Sequence, residues 1–300
     1  MAKNRDWPPD PEPLATPLVD NHTHLTHVPD VLHDGVPDPG VAGHLDWAAG
    51  VGVDRVVQVG CDLDSAPVSV AMAGEHPAVV AGVAVHPIEA PLHDGVREVA
   101  PDGLDPMVLD RHAVGLDEAI TQIADLARHP RVRTIAETGL DFFRAGEQGR
   151  VSQRAAFRAH IALAKELHLP MQIHDREAHA EVLEILAADG APPVTVFHCF
   201  SGDVAMARIC AERGYYLSFA GTVSFKNAEQ LRAAARVVPA QLLQVETDAP
   251  YLTAHPWRGR PNAPYLLPHT VRALARARDE DPEELASVLS ATAEEIYGPW

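Results

Sequence analysis

Short apolar runs rich in valine, isoleucine and leucine alternate with longer, alanine-rich stretches whose apolar positions recur every three or four residues. The short runs predict eight β-strands: Leu18 to His24, Arg55 to Gly60, Val79 to His86, Arg133 to Glu137, Pro170 to His174, Val194 to His198, Tyr216 to Ala220 and Leu242 to Glu246. Such near-continuous apolar segments fit strands buried on both faces. The longer stretches predict helices. In Gln153 to Leu167, for example, Phe157, Ile161 and Ala164 share one face, and Pro268 to Arg278 and Pro282 to Tyr297 supply two more helices after the last strand. Eight βα units in a row predict an α/β protein built as a single (β/α)8 TIM-type barrel.

That fold carries its chemistry at the C-terminal ends of its strands, and the chain places metal-binding side chains there. His22 and His24 stand one residue apart at the end of the first strand, where alternate side chains share a face. Glu137, His174, His198 and Asp248 follow at the ends of the fourth, fifth, sixth and eighth strands. Each alone reads as a hydrogen-bonded histidine or a capping carboxylate. Six together, all at strand ends, describe a catalytic metal centre of imidazole and carboxylate donors. A doubly wound open sheet would set strand ends along a line and could not easily gather these strands around one centre.

The remaining composition narrows the class. A net charge of −18 argues against nonspecific attraction to nucleic acid, so a polyanionic substrate would have to be held locally, by metal ions and a few arginines. Cys61, Cys199 and Cys210 form no paired framework, which fits a reducing cytoplasm, and no membrane-spanning run is present. Cys199 reads as a buried strand cysteine rather than a reactive thiol. Residues 1–17 are polar and proline-rich and predict a flexible or loosely packed N-terminal arm before a barrel of residues 18–300. Two connections, Thr26 to Gly43 and Ile88 to Gly115, exceed what a barrel needs. They either shape access to the site or decorate it.

With strands and donors placed, the chain resembles the TatD family of metal-dependent deoxyribonucleases. The carriers are Asp20-Asn21-His22-Thr23-His24, Val85-His86-Pro87, Ala136-Glu137-Thr138-Gly139-Leu140-Asp141-Phe142, Ile173-His174-Asp175-Arg176, His198-Cys199-Phe200-Ser201-Gly202, and Glu246-Thr247-Asp248-Ala249-Pro250-Tyr251-Leu252 with Arg258-Gly259 and Asn262. The resemblance implies a 3′-5′ deoxyribonuclease that cleaves phosphodiesters with a metal-activated hydroxide at a two-metal site. Its substrate would be nucleic-acid 3′ ends, foremost single-stranded DNA, with no membrane, and no obligate protein partner is inferable from the sequence. His22, His24 and Asp248 are assigned to one ion, His174 and His198 to the other, with Glu137 as bridge and Asp248 also as proton acceptor. Magnesium or manganese would support turnover, although imidazole donors also suit zinc or iron.

Four further residues are candidates for substrate binding. Arg176 can grip a phosphate oxygen or pair with a carboxylate, and His86 can line the mouth or simply end the third strand. Arg258 and Asn262 can hold phosphate or brace Asp248, and Glu246 reads as a support. Two rivals stand against a nuclease. One is a hydrolase of a small amide, ester or lactone; many such barrels bridge their metals through a carboxylated lysine on the fourth strand, but the three lysines here, Lys3, Lys165 and Lys226, all lie elsewhere. The other is a noncatalytic binding module, which would be expected to have lost one or more of the six donors.

Overall fold

The structure is a computed structural model that describes residues 5–300. All eight expected strands are present: β1 (Leu18–Thr23), β2 (Val53–Gly60), β3 (Val79–Val83), β4 (Val132–Asp141), β5 (Met171–Arg176), β6 (Thr195–Phe197), β7 (Tyr216–Phe219) and β8 (Leu243–Val245). They follow one another in chain order. Helices separate most of them, as parallel strands require, because a parallel partner can be reached only by a crossover. The chain just past β8 lies back against the end of β1 through the parallel bridge of Thr23 with Ala249, a return of the last strand's segment to the first that distinguishes a (β/α)8 barrel from an open sheet.

Two compact units make up the chain. One comprises the described residues through Gln58, Pro77–Val79 and Gly202–Trp300. Within it β1 runs parallel to β2, with Leu18 opposite Val53, and β7 runs parallel to β8, with Phe219 opposite Val245. Leu18, Val57, Phe219, Leu243, Val271 and Leu274 are fully buried in its core. The last two come from the helix Leu267–Arg278, whose apolar stripe was legible in the sequence.

The start of the chain belongs to this unit. Residues 5–17 run along it without regular structure, Leu14 buried, and the backbone N–H of Leu14 donates to the Val51 carbonyl at 3.3 Å. The Trp7 indole donates to Pro37 O at 2.8 Å, and its ring meets Trp47 and Tyr265 edge-on. Tyr265 returns a hydrogen bond to Pro8 O at 2.7 Å.

The other unit comprises Val59–His76 and Val80–Ser201, in which β3, β4, β5 and β6 form a continuous parallel ladder. The helix Glu147–Leu167 packs on it with Phe157, Ile161 and Ala164 all buried, the three residues that its periodicity selects. β4 is twice the length that the sequence suggested, running on from Glu137 through Thr138, Gly139 and Leu140 to Asp141. Its extension pairs with β5, Gly139 opposite His174 and Asp141 opposite Arg176. Gly139 makes this possible: its φ is 146°, and a Cβ there would lie 2.0 Å from the His174 carbonyl oxygen. Only glycine tolerates both demands.

The segment 88–115 is not bare loop. A short helix, Ala90–His93, and a 3-10 turn, Asp110–Ala113, are joined by Arg111, whose guanidinium grips Glu89 at 2.7 and 3.1 Å and reaches Asp64 at 2.8 Å. His112 donates to the same Glu89 carboxylate at 2.8 Å, while its other ring nitrogen accepts from the Leu109 N–H. Burial would push the Glu89 carboxyl up, but the arginine and imidazole hydrogen bonds pull it below the usual range.

Candidate metal centre

In the first unit the end of β1 and the turn after β8 assemble three donors. His22 and His24 present their Nε2 atoms 3.1 Å apart, and Asp248 Oδ1 lies 3.7 Å from His24 Nε2. All three residues are buried, with their ligating atoms within 4.8 Å of one another. The backbone explains the meeting. The Asp248 N–H donates to His22 O at 3.0 Å and the His24 N–H to Ala249 O at 2.7 Å, so the turn is stitched to the strand. Asp248 itself takes a left-handed φ of 52°, an uncommon conformation for a residue with a Cβ and a frequent mark of functional positions.

Behind these donors lies a buried polar scaffold. Asp20 accepts from the Thr247 N–H at 2.8 Å and from its hydroxyl, fixing the residue next to Asp248. Burial pushes the Asp20 carboxyl up to about 8, against the pull of the Thr247 donors. Asn262 is buried and donates to Thr247 O at 2.9 Å and to Tyr251 O, which places it as a brace of the Asp248 turn. Glu246 accepts from Ser218 at 2.5 Å, Ser218 from Asn21 at 3.0 Å, and Asn21 from the Tyr297 hydroxyl. Arg258 is exposed, its guanidinium 4.3 Å from the centroid of Phe225.

In the second unit one carboxylate oxygen gathers three imidazoles. Glu137 Oε1 lies 2.5 Å from His174 Nδ1, 2.7 Å from His198 Nε2 and 3.4 Å from His86 Nε2. His174 Nε2 in turn faces Asp141 Oδ2 at 3.0 Å. Burial alone would raise the Glu137 carboxyl, but the three imidazoles hold it well below the ordinary carboxylate range. Burial likewise lowers His174, yet the two carboxylates lift it to about 9. A neutral imidazole has one N–H and one lone pair, so it cannot serve two carboxylates. Positive charge, as a proton or a metal ion, is what this arrangement favours.

The six donors expected from the sequence therefore fall into two groups, His22, His24 and Asp248 in one unit and Glu137, His174 and His198 in the other; five stand at or near the C-terminal ends of their strands, whereas Glu137 lies inside β4, four residues before its end. Both groups fit a divalent ion by donor chemistry: the ligating atoms of His22, His24 and Asp248 lie within 4.8 Å of one another, as do those of His86, Glu137 and His174, and His198 Nε2 stands 2.7 Å from the same Glu137 oxygen. His86, expected at the mouth, joins the second group. Arg176 is exposed and lies over the Phe143 ring at 4.0 Å. Cys199 stands just past β6, half-buried at a φ of 42°, rather than inside a strand. Two residues were missed as parts of the site, Asp20 and Asp141. Both stand in the motifs quoted for the family, two residues before His22 and four after Glu137, but strand spacing alone gave no reason to prefer them over other carboxylates.

The comparisons agree with this picture. The family described as TatD related DNase matches residues 19–298. An uncharacterized metal-dependent hydrolase TatD from Mycobacterium tuberculosis is 41% identical over 286 residues, covering 94% of this chain and 98% of that protein. A 3′-5′ ssDNA/RNA exonuclease TatD from Citrobacter rodentium is 37% identical over 188 residues, 60% of this chain and 70% of that one. The crystal structure of YjjV, a TatD homolog from Escherichia coli, superposes with a TM-score of 0.75 at 22% identity, covering 93% of this chain and 97% of that chain, a likeness of fold. By its matched length and its full-length relatives, the chain belongs to the TatD-related DNase family of metal-dependent hydrolases acting on ester bonds.

Proposed function

We propose that this hydrolase is a 3′-5′ deoxyribonuclease that shortens single-stranded DNA, with two divalent cations as cofactors. His22, His24 and Asp248 would hold one cation, and Glu137, His174 and His198 the other. The observation that carries the reading is the Glu137 carboxylate, one oxygen of which draws in His174, His198 and His86 within 3.4 Å. A buried carboxylate that gathers imidazoles in this way is a donor set suited to a divalent cation. Bound there, the cations would polarise a phosphoryl oxygen and stabilise charge on the attacking and leaving oxygens.

The chain's own groups do the rest. Asp248 accepts the proton of the attacking water, being buried beside two imidazoles and fixed by its turn. Arg176, two residues past His174, offers its guanidinium to a nonbridging phosphate oxygen. Asp20 and Asn262 hold the Asp248 turn so that its carboxylate needs no reorganisation. Of the expected arm of residues 1–17, residues 1–4 lie outside the described residues, and the rest would serve as an arm to a barrel of residues 18–300. The three cysteines form no disulfide, which favours a cytoplasmic setting, and no described helix is long and apolar enough to cross a membrane.

The rival, a small-molecule ester or amide hydrolase, has less support. No lysine lies on β4, and Lys165 is engaged with Asp189 O at 2.8 Å. A panel of end-labelled DNA and RNA oligonucleotides with small esters and amides, each assayed with magnesium, manganese and zinc, decides between them. Stepwise loss of 3′ nucleotides from single-stranded DNA is expected. Turnover of a small ester or amide with every oligonucleotide intact would replace this function with the rival.

A further inference from the structure

A cavity of about 380 Å³ opens in the first unit beside the turn that carries Asp248. Val31, His33 and Phe225 form part of its wall, and Pro250, Leu252 and Arg258 complete it from the chain just past that turn. The cavity is thus built on the same loop as a metal donor, two residues on. Its walls are mainly apolar, with His33, Thr253 and two arginines as the polar groups. Of these, Arg260 is engaged, donating to the backbone carbonyls of Asp6 and Trp7.

Arg258 is different. It is exposed, and its guanidinium lies 4.3 Å from the Phe225 ring centroid with no hydrogen bond or ion pair to any described residue. Its aromatic support favours a flat cationic surface at the cavity wall.

We propose that this cavity seats one unpaired nucleobase of the strand being cut, stacked on the Arg258 guanidinium; the proposal rests on the nucleic-acid reading above and extends it to a specific subsite. Protein surfaces that read single strands stack splayed bases on aromatic rings or on guanidinium planes. The apolar walls favour a base over a bare phosphate, which would gain nothing from Val31, Leu252 or Phe225. A base paired in a duplex cannot enter such a cavity without leaving its stack. Stacking is also indifferent to base identity, so the subsite selects strandedness rather than sequence.

The test uses the metal-loaded full chain and end-labelled single-stranded DNA oligonucleotides in which one nucleotide at a time near the 3′ end lacks its base. For the native enzyme, one abasic position is expected to raise KM about tenfold, the size of one lost base stack. Arg258→Ala should raise KM for the intact oligonucleotide by a similar factor, and Arg258→Lys, which keeps the charge and loses the plane, should not rescue it. Combined, the variant and that abasic position should cost no more than either alone, because both remove the same contact. Three outcomes overturn the subsite: penalties that multiply, a native enzyme indifferent to every abasic position, or full rescue by lysine, which would mark a phosphate contact. A native enzyme that degrades no oligonucleotide at all overturns instead the nuclease reading on which the subsite rests.

Discussion

Replacing Gly139 with alanine should damage both stability and metal binding, although the change adds one methyl group. Gly139 sits on β4 two residues past Glu137, opposite His174 on β5, at a φ of 146°. A Cβ there would stand 2.0 Å from the His174 carbonyl oxygen and 3.0 Å from its carbon, where ordinary contact begins near 3.4 Å. Something must therefore move by more than an ångström, and both neighbours are backbone. Holding a non-glycine residue in so rare a conformation costs about 1–3 kcal/mol, and overpacking a tight interior costs about as much again. A total near 4 kcal/mol, or relief by parting β4 from β5, is the expected response, and parting them moves His174 away from Glu137. The assay is urea denaturation followed by circular dichroism and tryptophan fluorescence, with metal content measured on the same preparations. Gly74→Ala is the control: a Cβ on Gly74, in the helix Ser65–Glu75, meets nothing within 4 Å, so that variant should be neutral or stabilised by up to about 1 kcal/mol. A Gly139→Ala protein within about 1 kcal/mol of the native chain, with unchanged metal content, would refute the argument that this close approach holds Glu137 and His174 together.

Other perturbations have expected outcomes of their own. Arg111→Met removes the guanidinium from buried Glu89 and should cost about 3–5 kcal/mol by denaturant titration. The acid dependence should weaken as well. Glu89 is held below its ordinary range in the native chain, so its contribution is present above that range and is lost as pH falls; in the variant only His112 is left to oppose burial, the carboxyl rises, and that loss on acidification shrinks. His160, buried, donates to Ala156 O at 2.7 Å and accepts from the Val85 N–H at 3.2 Å, and burial lowers it from 6.5 to about 4. The unfolded chain therefore binds the extra proton first, and about 3 kcal/mol of stability should drain away as pH drops from 6.5 to 4. His160→Gln should flatten that slope in a pH series of thermal melts; an unaltered slope would assign it to other groups. Leu14→Ala should cost about 2–4 kcal/mol, because its side chain is 4% exposed within the arm. A loss under about 0.5 kcal/mol would show that the arm adds little to the fold.

Much of this molecule is legible in its sequence. Parallel strands buried on both faces leave long apolar runs, and crossover helices leave a period near 3.6, so the eight strands and the helix carrying Phe157 and Ile161 declare themselves. The six donors were readable because strand ends in a barrel are special positions and because imidazole and carboxylate are special groups. What escaped depends on pairing in space. β4 extends past Glu137 because Gly139 permits contact with β5, and nothing local in Glu-Thr-Gly-Leu-Asp distinguishes that from a turn. Asp141 and His86 enter the Glu137 cluster through that extension and through the end of β3. Arg176 gave equal support to a salt bridge and to a phosphate contact; the structure instead sets it on Phe143, a neighbour that only the β4–β5 register supplies. The segment 88–115 read as loop because its order comes from Arg111, 22 residues from Glu89.

The central claim is that each donor group holds its own divalent ion, and metal stoichiometry tests it most directly. Chelator-stripped protein titrated with manganese or zinc, and analysed by mass spectrometry under native conditions, should take up two ions per chain. Asp248→Asn combined with His22→Ala should take up one, and His174→Ala combined with His198→Ala should likewise retain one. A native chain that binds a single ion, or none, would contradict the account.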